Sequence, residues 1–209
     1  MTERDRRQNG LLYDCFRVGD DSYMKARNLL LKVNACPTVE EARPYLEQML
    51  GFYPKSAAIV PPFYCDLGPH IELGEKSFLN MDCLILDEAR VIFEEGCQVG
   101  PRCSFYTAIH PLDPDVRATG LEICKPIVIG KNVWLGGSCV VNGGITIGEG
   151  SVIGSGSVVT HDIPPMVFAA GNPCRVIREI GPADKQYWQD QLAEYQAFLA
   201  KDLQSQSEK

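Results

Sequence analysis

Through the second half of the chain, large aliphatic residues return every six positions, at Ile129, Leu135, Val141, Ile147, Ile153 and Val159. Glycine follows four of them, as Gly130, Gly136, Gly148 and Gly154. Two positions before each stands a smaller or more modest residue: Ile127, Val133, Cys139, Ile145, Ser151 or Ser157. An upstream array repeats the phase through Leu67, Leu73, Leu79 and Ile85, then resumes after a two-residue slip at Phe93, Val99 and Phe105. A period of six matches neither an amphipathic helix nor plain strand alternation. It matches short strands joined by tight turns, each sending one large side chain inward, with glycine carrying turns that cost other residues more. A single unit cannot bury its apolar residue, whereas stacked units share a continuous core. The pattern therefore predicts a mainly β solenoid over residues 57–165.

The flanks read differently. Residues 1–56 form an N-terminal helical segment, with Ser22 capping a helix to about Asn34. Thr38 and Glu41 have capping-box spacing before a second helix that stops at Gly51. Pro44 offers an alternative start for that helix. The repeats are interrupted over 106–125 by a polar excursion holding His110, Pro111, Pro114, Arg117 and Glu122, the kind of departure from a scaffold where function concentrates. Pro164 and Pro165 end the repeats. Residues 166–209 then give a strand and turn to Ile180 and a helix from Pro182, with Trp188, Leu192, Tyr195 and Leu199 on one face. The tail from Gln204 reads as disordered.

Charge and cysteine content narrow the function. A net charge of −7 argues against nucleic acid as the main partner and requires any anionic ligand to meet a local basic cluster. No apolar stretch suits a signal peptide or a membrane span, which implies a soluble, cytoplasmic protein. The nine cysteines are odd in number and include no CxxC pair. Cys65, Cys83, Cys97, Cys103 and Cys139 all fall two positions before an inward aliphatic, and read as compact core fillers.

Three further segments carry a closer likeness. Tyr13-Asp14 followed by Lys25 and Arg27, the run from Pro61 to Gly68 with Asn80 beyond it, and Thr107-Ala108-Ile109-His110-Pro111 with the later segment from Ala170 to Arg178 together resemble the maltose and galactoside O-acetyltransferases, hexapeptide-repeat acyltransferases. The resemblance implies a left-handed parallel β-helix, acetyl-CoA as co-substrate without a catalytic metal, a sugar-like acceptor, and a homotrimer with sites between chains. It makes His110 the general base, a role that suits an imidazole with a pKa of about 6.5. Glu122 then holds that imidazole, binds the acceptor, or is a solvated loop carboxylate. Asp14, Asp66 and Asn80 match acceptor-binding positions, and Glu88 stands where relatives often carry aspartate. For the cofactor the matching positions are Asn80, Gly137, Ser155, Thr160, His161, Arg175 and Arg178, with the Gly137 backbone N–H also a candidate oxyanion donor. Relatives often carry lysine at the His161 position. Other readings are an N-acetyltransferase of amino sugars or xenobiotics and a non-catalytic scaffold. A zinc carbonic anhydrase on the same fold lacks support, because no HxxxxH pair accompanies His110.

Overall fold

The structure, a computed structural model, describes residues 1–19 and 21–207, with side chains as far as residue 200. The described chain falls into two compact units, Met1–Arg178 and Glu179–Lys209. In the first, the chain winds repeatedly through three parallel sheets, giving the left-handed β-helix expected. The first face stacks Ala58–Ile59, Phe78–Leu79, Gln98–Val99, Trp134–Leu135, Val152–Ile153, Val167–Ala170 and Arg175–Glu179. The second stacks Phe63–Cys65, Cys83–Leu86, Ser104–Tyr106, Val140–Asn142 and Val158–Val159. The third stacks Ile71–Leu73, Val91–Phe93, Ile127–Ile129 and Thr146–Ile147. Register keeps like positions in line, as in Leu73↔Phe93↔Ile129↔Ile147, so each inward side chain packs on its counterparts in the coils above and below.

Both residues of each i, i+2 pair turn inward. Ile127 and Ile129, Val133 and Leu135, and Cys139 and Val141 are all fully buried. Each large aliphatic hidden this way contributes about 1.5–3 kcal/mol relative to exposure. Phe93 and Phe105 fill the middle coils edge to face, with ring centroids 5.0 Å apart.

Two details of the repeat differ from the expectation. Leu67 is not an inward residue; it lies in a corner, and Cys65 fills the large position, paired with Ile85. A thiol in an aliphatic slot disguises a second two-residue slip, between Cys65 and Leu73. The glycines after the aliphatics also serve another purpose. Gly130, Gly136, Gly148 and Gly154 do not adopt positive φ; the left-handed turn residues come two positions later, at Asn132, Ser138, Gly150 and Gly156. Glycine is required because consecutive coils touch there. A Cβ on Gly136 would lie 2.7 Å from the Ser155 amide nitrogen, and one on Gly148 would lie 2.4 Å from Pro165 N.

Helices α1 (Glu3–Gln8), α2 (Ser22–Val33) and α3 (Val39–Met49) precede the coils. The N-cap of α2 is Asp21 rather than Ser22. Thr38 caps α3 by accepting from Glu41 N at 3.2 Å, so this helix starts five residues before Pro44 and carries the proline inside. The proline forfeits one intrahelical bond, to the carbonyl of solvent-exposed Glu40, and that oxygen can turn to water. Helices α2 and α3 close the first coil, where Ala26, Leu30, Val33, Ala42 and Leu46 join its core. The Asn34 carboxamide both donates to Phe63 O and accepts from Phe63 N, pairing the open strand edge as another strand would.

At the far end Pro164 and Pro165 occupy a corner and do not stop the winding, since Val167–Ala170 pairs with Val152–Ile153 beyond them. In the excursion, α4 (Pro114–Arg117) is capped by Asp113. Helix α5 (Pro182–Ser207) forms the second unit with Trp188, Leu192, Tyr195 and Leu199 exposed. It carries helix through the stretch from Gln204 expected to be disordered, while residues 208–209 lie outside the described residues.

Candidate active site

The three corners of the prism are not equivalent. Between the second and third faces, inward residues are eight apart in the first two coils, Cys65 to Leu73 and Ile85 to Phe93, against six at the other corners. The third coil inserts the whole excursion at this corner, and the fourth returns to six across Gly143 and Gly144. The two-residue insertions thus open a wide corner directly beside the polar loop. Asp87, fully buried there, receives the Leu67 and Gly68 amides at 2.8 and 2.7 Å and locks the first corner onto the second. Its carbonyl meets His70 Nδ1 at 2.6 Å.

The excursion is a hairpin. Ala108–Ile109 pairs antiparallel with Ile123–Cys124, and the Arg117 guanidinium ties the loop by donating to Pro111 O and Leu112 O at 2.9 and 3.0 Å. His110 leaves the first strand of this hairpin exposed. Its Nε2 lies 3.9 Å from Glu122 Oε2, beside the second strand. Glu122 is buried and takes a hydrogen bond from the Tyr13 hydroxyl on its other oxygen. Burial excludes the solvated reading of Glu122. The backbones of the same two residues also pair, Tyr13 N to Glu122 O at 2.9 Å and Glu122 N to Tyr13 O at 3.1 Å.

A cavity of about 540 Å³ opens at this corner, with Arg7, Tyr13, Phe16, Asp66, Glu88 and Glu122 among its walls. Glu88 and Asp66 place their carboxyls within hydrogen-bonding reach, and Thr107 Oγ1 donates to Glu88 at 3.3 Å. Burial first, and then the Asp66 carboxyl, push Glu88 up to about 8. This environment favours the protonated form of Glu88, in which the carboxyl is a donor as well as an acceptor. Asp14 sits just outside these walls, half-buried, capping the short turn Cys15–Arg17 through Phe16 N at 3.0 Å.

The remaining candidates lie elsewhere. Asn80, Gly137 and Ser155 stack along the corner between the first and second faces, where coils approach so closely that a Cβ on Gly100 would be 2.6 Å from Gly137 N. Thr160 and His161 occupy the wide corner in the last coil, joined by a 3.0 Å contact from Thr160 Oγ1 to His161 Nδ1. His161 and Arg175 line a second hollow of about 340 Å³, and Arg178 follows on the exposed strand Arg175–Glu179. One chain thus unites His110, Glu122, Asp66 and Glu88 but holds Asn80, Gly137 and Ser155 apart from them. The sequence reading passed over Arg7 and Phe16 as cavity walls and gave Tyr13 no role. A lone aromatic in a polar segment without period carries no signal of its own.

A three-faced β-helix whose single long excursion presents a histidine backed by a buried carboxylate has the frame of an acyl-transferring solenoid. Residues 126–161 match the model of the bacterial transferase hexapeptide (six repeats). The chain is 37% identical to galactoside O-acetyltransferase of Escherichia coli over 190 residues, covering 90% of this chain and 93% of that one. Among solved structures, a galactoside acetyltransferase in complex with coenzyme A superposes with a TM-score of 0.85 at 35% identity, over 88% of this chain and 94% of the other. A maltose O-acetyltransferase from Clostridium difficile gives 0.81 at 37%, over 87% and 98%. The protein belongs to the hexapeptide-repeat acetyltransferases that include the galactoside and maltose enzymes.

Proposed function

We propose that this acetyltransferase moves an acetyl group from acetyl-CoA to a hydroxyl of a sugar or glycoside, with His110 as general base. The observation that carries this reading is the exposed imidazole held 3.9 Å from a buried carboxylate at the rim of a cavity walled by Asp66 and Glu88. A hydroxyl is a weak nucleophile at neutral pH, and His110 takes its proton as the oxygen attacks the thioester carbonyl; the C–S bond then breaks and coenzyme A leaves as the thiol, taking the proton back from the imidazolium. The distance to Glu122 exceeds a hydrogen bond, so the carboxylate acts by charge on the imidazolium as it forms. Asp66 and Glu88 offer carboxyl groups to sugar hydroxyls, and exposed Phe16 supplies a flat apolar wall. Asp14 lies at the entrance. The tight corner of Asn80, Gly137 and Ser155 receives the pantetheine arm, with the Gly137 N–H as oxyanion donor. Thr160, His161, Arg175 and Arg178 supply the local donors and positive charge that an acidic chain needs for a phosphate-rich co-substrate.

The assembled enzyme is a homotrimer. We place it in the cytoplasm: all nine cysteines are free, in keeping with a reducing compartment, and among the described residues no helix is long and apolar enough to cross a membrane. The test is acetyl-CoA consumption against a panel of sugars and glycosides, with His110→Ala as control. Turnover on at least one acceptor is expected, falling roughly a hundredfold or more in the variant. A folded variant with unchanged turnover would overturn the assignment.

A further inference from the structure

We infer that Tyr13 is a positioning residue for the transfer reaction, holding one oxygen of Glu122 so that the other is aimed at His110. The inference rests on His110 being the base.

Three observations support it. The first is burial: Tyr13 is 1% exposed and Glu122 7%, so their hydrogen bond is largely screened from bulk solvent. The second is chemistry. The phenol donates to Glu122 Oε1, while Oε2 is the oxygen facing His110, so a single carboxylate bridges the hydroxyl and the imidazole. Burial and the Glu122 carboxylate both push the Tyr13 hydroxyl up, which keeps it a donor throughout the working range. The third is the backbone. Paired amides between Tyr13 and Glu122 fix both Cα positions, and the Arg6 guanidinium donates to Leu12 O just upstream. Cys124, next but one to Glu122, contacts Arg7 O at 3.6 Å. The N-terminal segment is thereby laced to the excursion hairpin at side-chain and main-chain level. A segment packed only to cover the core would have no need of a hydroxyl at this position.

Other groups also lie near Glu122. Cys15 and Arg7 share the cavity from the N-terminal segment, Asp66 and Glu88 approach from the wide corner, and Cys124 lies on the strand beside Glu122. Among the interactions described for Glu122, the Tyr13 hydroxyl gives the donated side-chain hydrogen bond. Released from Tyr13, Glu122 turns within the cavity, and the imidazolium loses the charge aimed at it.

The experiment is a double-mutant cycle on the full-length enzyme with Tyr13→Phe, Glu122→Ala and the pair, read as kcat, both KM values and the pH–rate profile. Tyr13→Phe is expected to lower kcat on the order of tenfold, the scale of a lost hydrogen bond to a charged group, with the acetyl-CoA KM within about twofold. Its acid limb should move to lower pH, because an imidazolium without its carboxylate loses its proton more readily. In the Glu122→Ala background the phenylalanine should cost less than about twofold. An equal cost in both backgrounds, or an unmoved acid limb, overturns the role. Where Glu122→Ala does not fold, the pH profile of Tyr13→Phe decides alone. An active His110→Ala variant would instead bring down the base assignment; an inactive one with an additive cycle brings down Tyr13 only.

Discussion

Glu88 shows how one side chain can tie the cavity to solution conditions. Its carboxyl is pushed up to about 8 from an ordinary 4.5, mainly by burial and then by Asp66. Between these values the folded state holds a proton that the unfolded chain releases, so this group favours folding below pH 4.5 and loses that contribution as pH rises toward 8. Glu88→Gln keeps the donor and removes the titration. The variant should match the wild type in thermal midpoint near pH 5 and exceed it near pH 8; equal slopes of midpoint against pH would refute the raised Glu88 carboxyl. At this scale the sequence was partly legible. His110 stood out because a polar segment broke a period. Tyr13 did not, because its partner is 109 positions away and no regular spacing links them. Cys65 was misplaced because a thiol where an aliphatic belongs looks like the small residue of the next unit.

At the scale of the coil, corners and faces obey different constraints. The faces were legible because burial demands an aliphatic at every inward position, and that demand is periodic. The corner conformation was not, since it depends on contact with the next coil, which no single coil reveals. Gly136 and Lys76 separate the two constraints. An alanine at Gly136 would push its Cβ against Ser155 N at 2.7 Å and Oγ at 2.5 Å, so Gly136→Ala should cost about 1–3 kcal/mol in denaturant unfolding. Lys76 holds φ at 58°, a left-handed conformation that costs a side chain about 1–2 kcal/mol. Lys76→Gly removes that cost, against a glycine entropy loss of about 0.5–1 kcal/mol. Its pair with Glu95, 3.5 Å long and largely exposed, adds little. Lys76→Gly should therefore be neutral or slightly stabilising. If the conformational reading of the after-aliphatic glycines were right instead, Gly136→Ala would cost no more than an ordinary strained turn, without the clash.

At the scale of the molecule, the division of candidates between corners argues for assembly. His110, Glu122, Asp66 and Glu88 share the wide corner, while Asn80, Gly137 and Ser155 share the tight one. The second face lies between, and its strands of two to four residues put the corners roughly 10 Å apart along the strand direction. On the proposed assignment, an acetyl group lying along the tight corner of one chain is about a strand's length from His110 of the same chain, with the edge of the second face between them. A neighbour that sets its tight corner against the wide corner brings the two sets together, and a head-to-tail contact of this kind closes into a ring when the rotation is 120°. Light scattering should accordingly return three times the chain mass. The stronger test is complementation by two inactive chains. His110→Ala keeps an intact tight corner, and Ser155→Trp, at an exposed position, blocks that corner while leaving the wide one whole. Co-expressed in equal amounts and purified as mixed trimers, they should recover about a third of wild-type turnover, because a working site needs His110 from one chain type and Ser155 from the other, and each mixed ring has one such junction. Sites built within single chains would recover nothing, and a fully active monomer at assay dilution would remove the trimer altogether.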